Sequence, residues 1–190
     1  MITLTTTDHE PTDENLVIAA LAGDDGAFSR LVGRHKRRVF RMAGRFARDS
    51  DEQEDICQEV FIKVYEKLAS FRRDAPLENW ISRIAVRCCY DALRSRKHEK
   101  NHTPLDDVAY ELHDHAADAR NSAIEMRDLL NRALARLKPD ERLVITLQEL
   151  EEYSVREIAA STGWSEANVK VRAHRAREVL KRIVEEINGN

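Results

Sequence analysis

The chain is poor in residues that break helices and in residues that staple small folds. Its 190 residues include only 6 glycines, 4 prolines and 3 cysteines. With no β-branched alternation, that scarcity argues against a β-rich fold. Cys57, Cys88 and Cys89 cannot form a disulfide framework, because the count is odd and adjacent Cys88 and Cys89 do not readily bridge. Their use fits a reducing cytoplasm. No apolar run approaches membrane-spanning length. The N-terminal MITLTTTDHEPTDEN is polar and acidic, unlike a signal peptide. There is no glycine-rich phosphate loop, no nucleophile elbow and no internal repeat. His102, His113 and His115 do not close a ligand set. The expectation is an all-α protein without catalytic residues, cofactor or metal, and without direct membrane insertion.

What the chain does have is charge, sorted by sign. Charged residues make up 34% of it for a formal net charge of −3, so local charge says more about partners than the total. Arg30, Arg34, Lys36, Arg37, Arg38, Arg41, Arg45 and Arg48 form a basic block. Asp49, Asp51, Glu52, Glu54, Asp55 and Glu59 follow with no basic residue between them.

Apolar spacing divides the chain into two small helical domains on a connector. Residues 1–12 read as a disordered tail. Residues 13–97 read as the first domain, with Asp13 as the N-cap of its first helix. Within it, a helix from about Glu52 to Ala69 carries Ile56, Val60, Val64 and Leu68 on one stripe. The loop FRRDAPLEN leads to a helix from about Leu77 to Arg96. Residues 98–121 are polar and acidic with weak periodicity, and read as a flexible linker. Residues 122–187 read as the second domain, in which Pro139 sits in the first turn of a new helix.

Three constellations carry functional information. The stretch Tyr153 to Lys181 predicts two short helices around Gly163, with Ser165 as N-cap of the second. Val169, Ala173, Ala176, Leu180 and Ile183 line the second helix's buried face. Ala167, Asn168, Val171, His174 and Arg175 point away from it, with Lys170 and Arg172 at the flanks. Such a helix can lie in a major groove, its first residues on base edges and its cations on phosphates. On the helix after Leu77, Ile81, Ile84, Ala85, Cys88 and Ala92 form the apolar stripe. Opposite them, Asn79, Arg83, Arg87, Tyr90, Arg94 and Lys97 repeat at spacings of three and four. Cations there would follow phosphates, and Tyr90 would stack on an unpaired base. Trp80 is open to two readings, base stacking or core packing. In DEQEDICQEVFIKVYEKL, Asp55, Gln58, Glu59 and Lys63 lie off the apolar stripe, as a solvated face or a protein-docking surface.

Two DNA-facing helices in separate small domains, the first with a docking face, is an unusual combination. The chain resembles the extracytoplasmic-function (group four) sigma factors of bacterial RNA polymerase. The resemblance rests on AFSRLVGRHKRRVFRMA, DEQEDICQEVFIKVYEKLASFR, NWISRIAVRCCYDALRSRK and LARLKPDERLVITLQELEEYSVREIAASTGWSEANVKVRAHRAREVL, nearly all of residues 14–185. It implies sigma region 2 in 13–97 and sigma region 4 in 122–187. Asp55, Gln58 and Glu59 match the family's acidic–Gln–Glu motif, which implies docking on the β′ clamp helices, with Lys63 beside them. Asn79, Trp80, Arg83, Arg87, Tyr90, Arg94 and Lys97 would recognise and open the −10 element, with one base leaving the stack. Ser165, Asn168, Lys170, Val171, Arg172, His174 and Arg175 would read the −35 element, while other region 4 surface touches the β flap. Three departures stand out, one being Ala173, where a larger apolar residue is common. Arg87 replaces a family Asn, which favours a phosphate contact there. Val171 stands where a small polar residue is common, and could touch a thymine methyl. The family also implies control by an anti-sigma factor, often membrane-anchored. An autonomous helix-turn-helix repressor or activator is the alternative.

Overall fold

In the computed structural model, residues 10–102 and 129–188 are described. Every regular element among them is helical: α1 Asp13–Leu21, α2 Asp25–Phe46, α3 Ser50–Lys67, a 3₁₀ turn Leu68–Ser70, and α4 Leu77–His102. Residues 129–135 are the described part of α5. They are followed by α6 Pro139–Glu149, α7 Val155–Thr162 and α8 Glu166–Asn188. The expected tail up to residue 9, and the expected linker and start of the second domain over 103–128, lie outside the described residues.

Side chains fix the helix ends. Thr12 caps α1, its hydroxyl accepting from the Asn15 N–H at 3.3 Å. The sequence places that cap one residue late, at Asp13, because Thr and Asp have the same capping chemistry. Asp13 instead reaches across to α2, where its carboxylate meets Arg34 at 3.0 Å and the buried His35 at 2.9 Å. Asp24 caps α2 and Asp49 caps α3 in the same manner as Thr12. α4 runs to His102, beyond the expected end near Arg96.

The described residues group into two compact units, divided within α4 between Ala85 and Val86. In the first, α1 and α3 both pack on α2. Leu31, Val39, Met42, Ala43 and Phe46 of α2 are buried with Ile56, Val60 and Val64 of α3. Gly44 permits a close approach: the Gln53 amide donates to the Phe40 carbonyl at 2.7 Å, and a Cβ at position 44 would sit 2.6 Å from that amide nitrogen. Arg38 of α2 forms an ion pair with Glu78 in the first turn of α4.

In the second unit, α6 and α7 pack on α8. Leu134, Leu137, Ile145 and Ala176 form one cluster, flanked by Val179 and Leu180. Leu143, Val144 and Leu147 are fully enclosed. Ser154 and Glu157 form a reciprocal capping box at the start of α7. The Ser154 hydroxyl and then its backbone N–H hold the Glu157 carboxyl below its ordinary range. Gly163 ends α7 at φ 80, where a side chain would be strained. The Ser165 hydroxyl accepts from the Asn168 N–H at 3.2 Å, so α8 opens on the expected cap.

Candidate functional site

The outward face of α3 is acidic with an apolar centre. The expected stripe Ile56, Val60, Val64 and Leu68 is buried, which turns Asp55, Gln58 and Glu59 to solvent. Lys63 reaches back to Glu59 at 3.0 Å, so it trims that carboxylate's charge. Sequence reasoning missed Ile62 and Tyr65, which lie on this face and are 52% and 58% exposed. The signal was available: both sit off the buried stripe, and an exposed large apolar residue ringed by charge is typical of a contact surface. Phe28 of α2 meets Tyr65 edge-on at 4.9 Å and steadies it.

The loop between the 3₁₀ turn and α4 shapes a cleft of about 330 Å³. Ser70, Phe71, Arg72, Asp74, Ala75, Trp80 and Arg83 line it. The Phe71 and Trp80 rings pack 5.5 Å apart, so Trp80 is both packed on a neighbour and part of the wall. Arg73 holds φ 62, the left-handed region, a conformation that costs a non-glycine residue about 1–2 kcal/mol. That strain is stored in the cleft-forming loop. No sequence pattern announces such a cavity, because it comes from chain reversal and not from periodicity.

From this cleft the outer row of α4 runs along the helix. Asn79, Arg83, Arg87, Arg94 and Lys97 are exposed, and Tyr90 is half-buried. Ile81, Ile84, Ala85 and Cys88 are buried as expected, whereas Ala92 is only partly so. A second buried set, Val86, Cys89 and Leu93, was not expected. Arg87 and Tyr90 also have partners within the second unit. Arg87 Nε donates to the Ser161 carbonyl at 2.9 Å, and the Tyr90 ring meets Trp164 edge-on at 5.4 Å.

On α8, Val169, Ala173, Ala176 and Ile183 are buried, while Leu180 is partly exposed. Lys170, Val171, His174 and Arg175 face solvent, Val171 at 47% exposure. Asn168 is partly covered. Arg172 is not simply a flanking cation: its Nε bonds Asp140 at 2.9 Å and its guanidinium lies 4.2 Å from the Trp164 ring centroid. Sequence spacing could not show this, since Asp140 lies on another helix.

Among the described residues, no cluster of His, Cys, Asp and Glu is close enough to hold a metal ion, and no helix is long and apolar enough to cross a membrane. Burial pushes the Cys57 thiol up, and pushes the fully enclosed Cys89 thiol far above its ordinary value.

The chain matches known proteins along most of its length. Residues 31–99 match the family Sigma-70 region 2, and residues 127–180 match Sigma-70, region 4. It is 34% identical over 180 residues to the ECF RNA polymerase sigma factor SigM of Mycobacterium tuberculosis, covering 95% of this chain and 88% of that one. It is 32% identical over 177 residues to the ECF RNA polymerase sigma-E factor of Escherichia coli, covering 89% and 92%. Among solved structures, CnrH in complex with the cytosolic domain of CnrY superposes with a TM-score of 0.60 at 25% identity, covering 92% of this chain and 97% of that one. Two sigma regions in the same order, on a helical scaffold of the same fold, place this chain in the extracytoplasmic-function family of RNA polymerase sigma factors.

Proposed function

We propose that this protein binds core RNA polymerase and directs it to specific promoters, as a cytoplasmic initiation factor with no catalysis of its own. Residues 13–97 supply polymerase docking and −10 recognition, and residues 122–187 supply −35 recognition. The observation that carries this reading is the cleft beside Trp80 and Arg83 at the foot of a row of exposed cations. The cleft has room for an unstacked base, and the row offers cations to the phosphates that follow.

The roles divide by chemistry. Asp55, Gln58, Glu59 and Lys63 dock on the β′ clamp helices, with Ile62 and Tyr65 as apolar contacts at the centre of the same face. Trp80 and Tyr90 present π-faces to a displaced strand, Asn79 reads or steadies it, and Arg83, Arg87, Arg94 and Lys97 hold its backbone. Ser165, Asn168, Val171, His174 and Arg175 meet the −35 duplex, with Lys170 and Arg172 on phosphates and Val171 available to a thymine methyl. Each reader binds weakly alone, and tethering both to the polymerase raises the effective concentration of the second. Another region 4 surface meets the β flap. CnrH is solved with the cytosolic domain of CnrY, and an anti-sigma partner, soluble or membrane-anchored, is proposed to hold this chain inactive.

Run-off transcription with core polymerase and a promoter library tests the reading. Specific initiation that depends on the added protein is the expected result. Strong duplex binding by the protein alone, with no initiation, would instead favour an autonomous repressor or activator. Val171→Ser in the same library should shift the preferred −35 sequence, and an unchanged preference sinks the methyl contact.

A further inference from the structure

The second unit contains more than α5 to α8. It begins at Val86, so the latter half of α4 belongs to it. Val86, Cys89 and Leu93 are buried at spacings of three and four, a second apolar face on a helix whose first apolar face is Ile81, Ile84, Ala85 and Cys88. Cys89 is fully enclosed, with Glu151, just beyond α6, close enough to raise its thiol further. This half of α4 is therefore a packed component of the unit.

The packing engages functional residues by way of one side chain. Trp164 follows Gly163 in the turn between α7 and α8. Its ring meets the Tyr90 ring at an interplanar angle of 89°. The Arg172 guanidinium lies over the same indole, braced by Asp140. One turn of α4 earlier, Arg87 donates to the Ser161 carbonyl near the end of α7. Trp164 thus engages a residue assigned to single-strand capture and a residue assigned to duplex phosphates. Neither contact is needed to cap a helix or to complete the cluster around Leu134, Leu137, Ile145 and Ala176.

We propose that Trp164 is a clasp: it holds a closed form of the factor in which Tyr90 and Arg87 are withheld from single-stranded DNA, and engagement with core polymerase favours the open form. The inference rests on the −10 role proposed above for Tyr90 and Arg87. Beside the burial of Val86, Cys89 and Leu93, the ring pair and the hydrogen bond favour the closed form by about tenfold, a bias that a partner binding only the open form can overturn. In the closed form Tyr90 and Arg87 add nothing to the hold of the exposed cations on a single strand.

The test measures binding of the full chain, alone, to a randomised twenty-nucleotide DNA single strand by fluorescence anisotropy. Trp164→Ala should bind about fivefold or more tightly than the wild type, since a released aromatic regains a stacking surface. Adding Tyr90→Ala to that variant should abolish the gain. Should Trp164→Ala fail to fold by circular dichroism, Trp164→Leu keeps apolar bulk in the turn while removing the ring edge and the cation–π contact, and the same gain is expected. Trp164→Phe, which retains a ring, should gain less than Trp164→Ala. Equal binding by the wild type and a folded Trp164→Ala or Trp164→Leu overturns the clasp, as does a gain that survives Tyr90→Ala. Run-off transcription by the wild type separates the two levels. If initiation occurs and Trp164→Ala brings no gain, only the clasp is wrong. If initiation never occurs, the promoter role itself has failed.

Discussion

The outward faces of α3 and α4 are built on the same helical repeat and carry opposite chemistry. α3 shows Asp51, Asp55, Glu59 and Glu66 around exposed Ile62 and Tyr65. α4 shows Arg83, Arg87, Arg94 and Lys97 around Trp80 and Tyr90, which are only partly exposed. An acidic rim around an openly exposed apolar centre suits a protein surface, where desolvated apolar contact supplies affinity and charge selects the partner. A basic row with sheltered aromatics suits a polyanion with flat bases. The lesson is that sign alone does not assign a partner. What separates the faces is whether the apolar residues between the charges stand openly exposed, as Ile62 and Tyr65 do, or are sheltered, as Trp80 and Tyr90 are.

The sharpest way to break this contrast is to give α3 the charge of α4. Asp55→Arg with Glu59→Arg should weaken association with core polymerase by about a hundredfold, since like charges set against each other cost several kcal/mol. Titration calorimetry would read this, with single-strand binding unimpaired. Next in size, Trp80→Ala should cost about 1–3 kcal/mol in single-strand capture by the polymerase-bound factor, without loss of polymerase affinity. A smaller effect is expected on the duplex reader: Arg175→Ala should lower the slope of log affinity against log salt by about one. If the slope is unchanged, Arg175 does not touch a phosphate.

Two smaller effects concern the scaffold under the faces. Arg73→Asn should stabilise the first unit by about 0.5 kcal/mol in urea unfolding, because Asn tolerates the left-handed region more readily. The thiols should impose a pH dependence of definite sign. Cys57 and Cys89 are held protonated above the ordinary thiol value of 9.0. Above that pH the unfolded chain loses these protons first, so stability should fall as pH rises from 8 to 10. Thermal scans at the two values check this, and labelling of either cysteine should be slow until the chain unfolds.

Helix positions were legible wherever one apolar stripe faced one core. Ile56, Val60, Val64 and Leu68 on α3, and Val169, Ala173 and Ala176 on α8, are buried as their spacing requires. The turn at Gly163 and the cap at Ser165 were legible because each follows from local backbone chemistry. α4 was only half legible. A wheel that allots one apolar face assigns Ile81, Ile84, Ala85 and Cys88 and has no place for Val86, Cys89 and Leu93, which are equally buried. The partners of Arg172 and Tyr90 were hidden for another reason: Asp140 and Trp164 are far from them in periodic register, and only tertiary folding brings them together. The cleft beside Trp80 was hidden because its wall is a loop containing a strained arginine, and residue type predicts such a conformation only when the residue is glycine or asparagine.

Gly44 carries no proposed contact with polymerase or DNA, yet it bears on how α3 is fastened to α2. Because position 44 has no side-chain carbon, the Gln53 amide can reach the Phe40 carbonyl and draw the first turns of α3 close to α2. Asp55, Gln58 and Glu59 follow within two turns on the same rigid rod. A single methyl at position 44 would meet the Gln53 amide at 2.6 Å, so that side chain would have to swing aside and give up the Phe40 carbonyl. An atom missing from α2 thus leaves room for the amide that ties the first turn of α3 to the α2 backbone.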